Sequence, residues 1–263
     1  RPVPVVQAYA YGKYLGHLIL TFDDAGALIS ATGDTILLDA SVIPDPAVVA
    51  RLAELSAPIE ALKTRVVATA LAAIDGGRDS CRARECAMGN LVAEAILDRV
   101  AGRGVTIALQ NGGGLRASID TGPVTMGEVL TVLPFQNTLS TFEVTGAVIL
   151  EALENGVSEV KTGGGRFPQV AGLTFSFDPS LPAGARVSKV LVRAGKIWGP
   201  IDPEARYKVV SNNFIRGGGD GYDMFEAGSN AYDFGPNLAD VTADYLARVG
   251  SFQPFTDGRI TRE

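Results

Sequence analysis

Hydrophobic positions along the chain fall into short alternating runs and into helical periods, and the two kinds are interspersed. Val3-Pro4-Val5-Val6-Gln7, preceded by Arg1-Pro2, is an apolar, strand-like opening. Residues 14–22 alternate, Asp23-Asp24-Ala25-Gly26 reads as a hairpin turn, and Ala27-Leu28-Ile29 begins the return strand. Asp45 caps a helix with Pro46 at its first position, and Val48, Val49, Leu52, Leu55, Ile59 and Leu62 follow at helical spacing. Pro58 should kink or split that helix. Residues 64–74 read as a strand and 76–80 as a loop. Leu91, Val92, Ala95, Ile96 and Val100 make an amphipathic helix that Gly102 and Gly104 end. Val105-Thr106-Ile107-Ala108-Leu109 is apolar without alternation, the pattern of a buried strand. Further helices are expected over 126–132, from Ala147 to Asn155-Gly156, and over 236–249; strands over 138–144, 170–177, 187–192, 207–210 and 259–261. The spacing predicts an antiparallel or mixed sheet, hence an α+β (mixed α/β) fold.

Composition narrows the function classes. The chain has 263 residues, 46% apolar and 20% charged, ordinary for a globular chain of one large or two small domains. A net charge of −6 excludes a nucleic-acid or anionic-membrane surface, which needs a basic excess. No apolar run reaches the roughly 18 residues of a membrane span. The strand-like opening is read as that of a fragment or mature form. His17 is the only histidine; inside a strand and without a partner ligand, it reads as a strand-face residue.

The unusual residues sit in loops. Asn111-Gly112-Gly113-Gly114-Leu115-Arg116 follows the buried strand. Three glycines contribute nothing to a core, but they let a backbone turn sharply or a ligand come close. Cys81 and Cys86 are the only cysteines. They read as a local disulfide or as half a metal site; with no nearby histidine the disulfide is preferred, implying an oxidising compartment. Arg82 and Arg84 inside that loop, before a helix N-terminus, form an anion or hydroxyl clamp. Phe135 follows a proline in a loop, and Thr162-Gly163-Gly164-Gly165 is a flexible turn. Phe214 and Asp220 lie in a second glycine-rich loop over 213–222, which lacks the surroundings of a dinucleotide fingerprint. Two loop aromatics can sandwich a planar ring, worth ~1–3 kcal/mol per stacked base. A carboxylate accepts from vicinal hydroxyls, and arginines donate to sugar oxygens and phosphate. This inventory fits a nucleoside.

The segments Val5 to Gly16, Cys81 to Asn90, Asn111 to Arg116, Leu133-Pro134-Phe135, and Asn213-Phe214 with Gly218 to Gly221 stand in one order along the chain. In that order the chain resembles the C-terminal substrate-binding domain of the 5′-nucleotidase family, with its ecto-enzymes and bacterial periplasmic 5′-nucleotidase/UDP-sugar hydrolases. The resemblance implies that Phe135 and Phe214 sandwich the base and that Asn111 contacts it, with the Gly113 and Gly114 backbone close by. It implies that Asp220, Arg82 and Arg116 address the ribose and phosphate. The Cys81–Cys86 pair resembles a local disulfide of the ecto-enzymes. The implied activity is hydrolysis of nucleoside 5′-monophosphates, AMP first, by metal-activated hydroxide in a periplasmic or extracellular enzyme. UDP-sugar hydrolysis, 2′,3′-cyclic phosphodiester hydrolysis and a stand-alone nucleotide-binding module are the alternatives. Thiosulfate-ester hydrolysis, another activity of the superfamily, should not need paired aromatics.

The family's metal motifs, Asp-x-His, Gly-Asn-His-Glu and Gly-His-x-His, are missing from this chain. One histidine cannot build a two-metal site of that type. The resemblance therefore implies no catalytic residue, metal or cofactor in this chain, and two divalent ions, such as zinc or manganese, in an N-terminal domain outside it. Residues 1–44 are expected to be terminal strands of that metallophosphatase domain, 45–64 a linker helix, and 65–263 the substrate-binding domain. The implied partners are nucleoside or nucleotide and the N-terminal domain, with a homodimer among the family's habits; the chain alone should bind without turnover.

Overall fold

The computed structural model describes residues 3–263, so the Arg1-Pro2 part of the expected strand-like opening lies outside the described residues. Packing divides the chain into one unit up to Ile59 and another from Glu60. In the first, Val3 to Gln7 forms no strand, contrary to the apolar pattern. Pro4 removes a ladder donor, and Tyr9 and Tyr11 turn the following backbone to positive φ. Strands β1 (Tyr14–Phe22) and β2 (Leu28–Leu37) pair antiparallel, His17 opposite Asp34. The Asp23 carboxylate accepts from the Ala25 and Ala27 amides and closes the turn. Leu15, Ile19, Phe22, Ile29 and Ile36 are all exposed on this hairpin. Helix α1 (Pro46–Lys63) is capped by Asp45, whose Oδ1 accepts from Ala47 and Val48. It runs through Pro58 as one helix rather than splitting. Proline removes a single i→i−4 bond, and the turn beyond it keeps its own, such as Thr64 N–H to Glu60 O.

The second unit begins with β3 (Val66–Ala70), shorter than the expected 64–74, then α2 (Arg78–Cys81), a helical turn in place of the expected loop, and α3 (Ala87–Arg99). There follow β4 (Ile107–Asn111), β5 (Gly122–Thr125), α4 (Met126–Val132), β6 (Leu139–Thr145) and α5 (Gly146–Ser158). Then come β7 (Pro168–Ala171), β8 (Leu173–Phe177), β9 (Val187–Ala194), β10 (Ile197–Pro200) and β11 (Arg206–Asn212). The chain ends with α6 (Asn213–Arg216), β12 (Ser229–Tyr232), α7 (Leu238–Val249), β13 (Ser251–Phe252) and β14 (Ile260–Arg262).

A five-stranded mixed sheet, β12-β6-β11-β4-β7, is the centre, with β11 and β4 its parallel pair. Both faces are covered. Ala108, Val210 and Ala171 pack with Met88, Leu91 and Ile96 of α3 and Leu246 of α7. Ile107, Leu109, Val209 and Val170 pack with Ile149 and Leu153 of α5 and with Phe142, Phe167 and Phe175. Burial on both faces is why β4 shows no alternation. The two remaining sheets are β13-β3-β5 and β10-β9-β8-β14. The continuous strand expected over 170–177 is broken at Gly172 into β7 of the central sheet and β8 of the four-stranded one. Gly172 has φ +71°, and a Cβ there would lie 1.9 Å from the Thr106 carbonyl oxygen; only glycine turns this corner.

Candidate functional site

Because β4 and β11 are parallel neighbours, their C-terminal ends open at the same edge of the sheet, the usual place for a ligand crevice in an open α/β sheet. Asn111 ends one strand and Asn212 the other. After Asn111 the three glycines form a single 3₁₀ turn packed against its neighbours. A Cβ on Gly112 would fall 2.1 Å from the Cys81 carbonyl oxygen, and one on Gly113 2.9 Å from the Gly165 Cα. The Gly112 amide donates to Phe167 O and the Gly113 amide to Gly165 O, both at 2.7 Å.

Cys81 and Cys86 are joined in a disulfide, and both are buried. The loop they close is stitched to β7 by Gln169, fully buried, whose Nε2 donates to Cys81 O and Arg84 O while its Oε1 accepts from the Cys86 amide. Iodoacetamide should label neither cysteine in the native chain and both after denaturing reduction; labelling before reduction would rule the bond out. Arg82 leaves this loop half-buried, its Nε buried without a hydrogen-bond partner among the described residues. Burial, then the charges of Arg78 and Arg116, hold its guanidinium below the usual arginine range, with Asp220 acting in the opposite sense. Arg84, the other half of the expected clamp, does not join it: it is exposed and donates to Ser80 Oγ. One residue after Arg82 the loop passes Ala83, which packs on the buried aromatic cluster, and at Arg84 it returns to the surface.

Phe135 stands 53% exposed between α4 and β6, with the Arg116 guanidinium 5.5 Å from its ring centre. Phe214, 46% exposed, sits on the single turn α6. The side chain of Asn212 caps that turn by accepting from the Ile215 amide at 3.0 Å. The two rings do not stack on each other. Asp220 has φ +55° and ψ +24°, a left-handed conformation that aspartate tolerates better than most residues. Asn155 Nδ2 donates to its carbonyl oxygen at 3.2 Å, and Asn111 Nδ2 donates to its carboxylate at 2.6 Å.

These loops enclose a cleft of about 480 Å³. All eight residues read from the sequence line it: Arg82, Asn111, Gly113, Gly114 and Arg116 from one side of the chain's order, Phe135, Phe214 and Asp220 from the other. Asn137 and Gly165 line it too; nothing in the sequence marks the first, and the second reads there as part of a plain turn. A larger space, about 720 Å³, lies in the first unit between residues 4–8 and the hairpin; its lining includes Gln7, His17, Thr32, Asp34 and Thr35 but no Phe, Tyr, Trp, Arg or Lys, so it lacks the stacking faces and permanent cations of the smaller cleft. Chemically, the 480 Å³ cleft offers two aromatic faces, two cations and one carboxylate. It suits a planar ring joined to hydroxyls and an anion. Among the described residues no group of three or more His, Cys, Asp or Glu could hold a metal ion, and no helix is long and apolar enough to cross a membrane.

Comparison with known proteins shows the family of the chain. The family described as 5′-nucleotidase, C-terminal domain, matches residues 65–227. A snake venom 5′-nucleotidase of Naja atra is 34% identical over 275 residues, covering 99% of this chain and 52% of that protein. The human 5′-nucleotidase is 34% identical over 99% of this chain and 48% of its own length. The crystal structure of a 5′-nucleotidase precursor from Thermus thermophilus superposes with a TM-score of 0.78 at 42% identity, over 98% of this chain and 51% of that one. The chain thus spans about half the length of these relatives, and over that half its sequence and its fold agree with theirs: it belongs to the 5′-nucleotidase C-terminal domain family.

Proposed function

We propose that the cleft at the ends of β4 and β11 binds the nucleoside part of a nucleotide, AMP or adenosine first, and that the protein serves an enzyme hydrolysing nucleoside 5′-monophosphates to nucleoside and phosphate. One observation carries this reading: a single cleft gathers two half-exposed aromatic rings, a carboxylate and two guanidinium groups from loops far apart in sequence. Phe135 and Phe214 take the base between them, Asp220 accepts from the ribose hydroxyls, and Asn111 donates toward the base. Arg82, with an unpartnered buried Nε, and Arg116 face the ribose and the phosphate. The names of the relatives support the substrate class.

The metal ions such chemistry implies do not fit this chain. It has one histidine, exposed on a hairpin, and no cluster of ligating side chains among the described residues. Hydrolysis therefore belongs to a part of the enzyme outside this chain, which binds without turnover. Residues 1–44 complete that neighbouring domain and 45–64 link to it. A two-stranded hairpin is marginal by itself, and the exposed Leu15, Ile19, Phe22 and Ile36 need a partner surface. The disulfide supports a periplasmic or extracellular setting.

Calorimetric titration of the chain with adenosine and with AMP, without metal, tests the reading. Saturable binding is expected for both. Phe214→Ala should weaken it by ~1–3 kcal/mol without shifting the melting temperature, because the ring is half exposed. Absence of heat with both ligands, or unchanged affinity in the variant, would sink the sandwich.

A further inference from the structure

We propose that Asn212 is a positioning residue: it fixes the direction of the Asn111 amide, and through it the Asp220 carboxylate, so that the cleft demands hydroxyl donors from its ligand. The inference rests on the reading of the cleft as a nucleoside site.

The argument starts from a backbone group whose polarity is beyond choice. An asparagine side chain fits its pocket about equally well in two orientations, and only its partners tell oxygen from nitrogen. Asn212 is fully buried. The Ile215 amide, which can only donate, meets its Oδ1 at 3.0 Å. Its Nδ2 must then point the other way, and it donates to Gln110 Oε1 at 2.9 Å and to Asn111 Oδ1 at 3.0 Å. Gln110, also fully buried, has its oxygen fixed by that contact, so its Nε2 turns to Asn111 Oδ1, at 3.1 Å. The Asn111 oxygen thus receives two donors and cannot be exchanged with its nitrogen without setting NH₂ against NH₂. Asn111 Nδ2 is left facing Asp220 Oδ2 at 2.6 Å. One amide after another passes on a direction that begins at a main-chain N–H.

Two consequences reach the cleft. Asn111 spends both lone pairs of its oxygen inside the protein and keeps a spare N–H for the ligand. Asp220 has its Oδ2 held by one donor, while its Oδ1 has no protein partner among the described residues. A ligand there must bring O–H donors. The same Asn212 oxygen caps the turn that carries Phe214, so one buried side chain ties the stacking face to the hydroxyl-reading carboxylate.

Capping and amide direction can be separated. Asn212→Asp keeps an equally good cap but replaces the Nδ2 donor with an oxygen facing Gln110 Oε1 and Asn111 Oδ1. Those amides must turn over, and Asn111 then presents oxygen to Asp220. Asn212→Ser keeps a capping oxygen and has no amide to pass the direction on; it serves if the buried carboxylate of the first variant prevents folding, judged by circular dichroism. The measurement is the ratio of dissociation constants for 2′-deoxyadenosine and adenosine, by calorimetry on the chain. Loss of one hydrogen bond to a charged group is worth about tenfold or more, so wild type should favour adenosine by at least about tenfold, and the folded variants by no more than about threefold. A residue that only supports the fold would weaken both ligands equally and leave the ratio alone. An unchanged ratio in a folded variant overturns the assignment of Asn212 while the nucleoside site stands. Failure of the wild-type chain to bind either nucleoside overturns the site itself, and the assignment with it.

Discussion

Asp220→Ala is expected to remove nearly all nucleoside affinity, a loss of at least ~3 kcal/mol or more than about a hundredfold. Three effects add in one direction. Hydrogen bonds to a charged group contribute ~1.5–3 kcal/mol each, and under the proposed function the carboxylate accepts from two hydroxyls. The Asn111 Nδ2 that it holds at 2.6 Å loses its partner in a buried network. Alanine also fits the left-handed backbone at φ +55° less well than aspartate does, so the turn between Gly219 and Gly221 is pulled toward another conformation. Asp220→Asn separates these terms, since asparagine keeps the shape and the left-handed preference but loses the charge; it should fall between the two. Calorimetry with adenosine decides. An Asp220→Ala affinity within about threefold of wild type would remove the carboxylate from the site.

The sequence carried the fold where a pattern had one cause. Residues 105–109 lack alternation because two cores press on β4, and that is visible as composition alone. The Asp45-Pro46 start is a local event, and the structure puts the helix there. Reading stopped short where a remote backbone decides. Nothing near Gly172 announces that Thr106 O lies against it, so two strands in different sheets looked like one. Proline acts differently in the apolar opening and in α1: Pro4 stands in a segment whose apolar composition suggested a strand that does not form, and of the two outcomes expected at Pro58, a kink or a split, the split does not occur.

Candidate site residues divide the same way. The glycine triplet stood out because bare backbone is unhelpful to a core, whereas Phe135, Phe214 and Asp220 became candidates only through the combined inventory of the loops and the resemblance to the 5′-nucleotidase C-terminal domain. Arg84 looked equivalent to Arg82 because both are near neighbours in one loop; which of them turns inward depends on Gln169 gripping the Cys81 and Arg84 carbonyls from another strand. Gln110, Asn212 and Gln169 went unremarked. A buried amide inside or at the end of a strand has the same appearance in sequence as an exposed one, and its value lies entirely in distant partners, as between Asn212 and Gln110. The one available signal was positional: Asn212 ends a strand two residues before Phe214, where an N-cap is expected if the following residues turn helical.

Gly112→Ala is expected to damage stability and binding together, and so to test whether the disulfide loop and the glycine turn act as one body. A Cβ at residue 112 would lie 2.1 Å from the Cys81 carbonyl oxygen and 2.9 Å from its carbon. Both obstacles are backbone, so no rotamer change relieves the contact. The turn cannot retreat, because the Gly112 and Gly113 amides are anchored to Phe167 O and Gly165 O. The disulfide loop is held in turn by the Cys81–Cys86 bond and by Gln169. Overpacking costs ~1–3 kcal/mol where side chains can adjust; here the upper end applies, about 3 kcal/mol, which for a unit of this size lowers the melting temperature by roughly 6–12 °C. Whichever segment yields, Cys81 moves relative to Asn111, and Arg82 follows Cys81 directly. Affinity for AMP should therefore fall by more than affinity for adenosine, since the proposed function sets Arg82, which lines the cleft, toward the phosphate. A melting temperature within about a degree of wild type would show that the two segments have room to part, and an equal loss for AMP and adenosine would separate Arg82 from the phosphate.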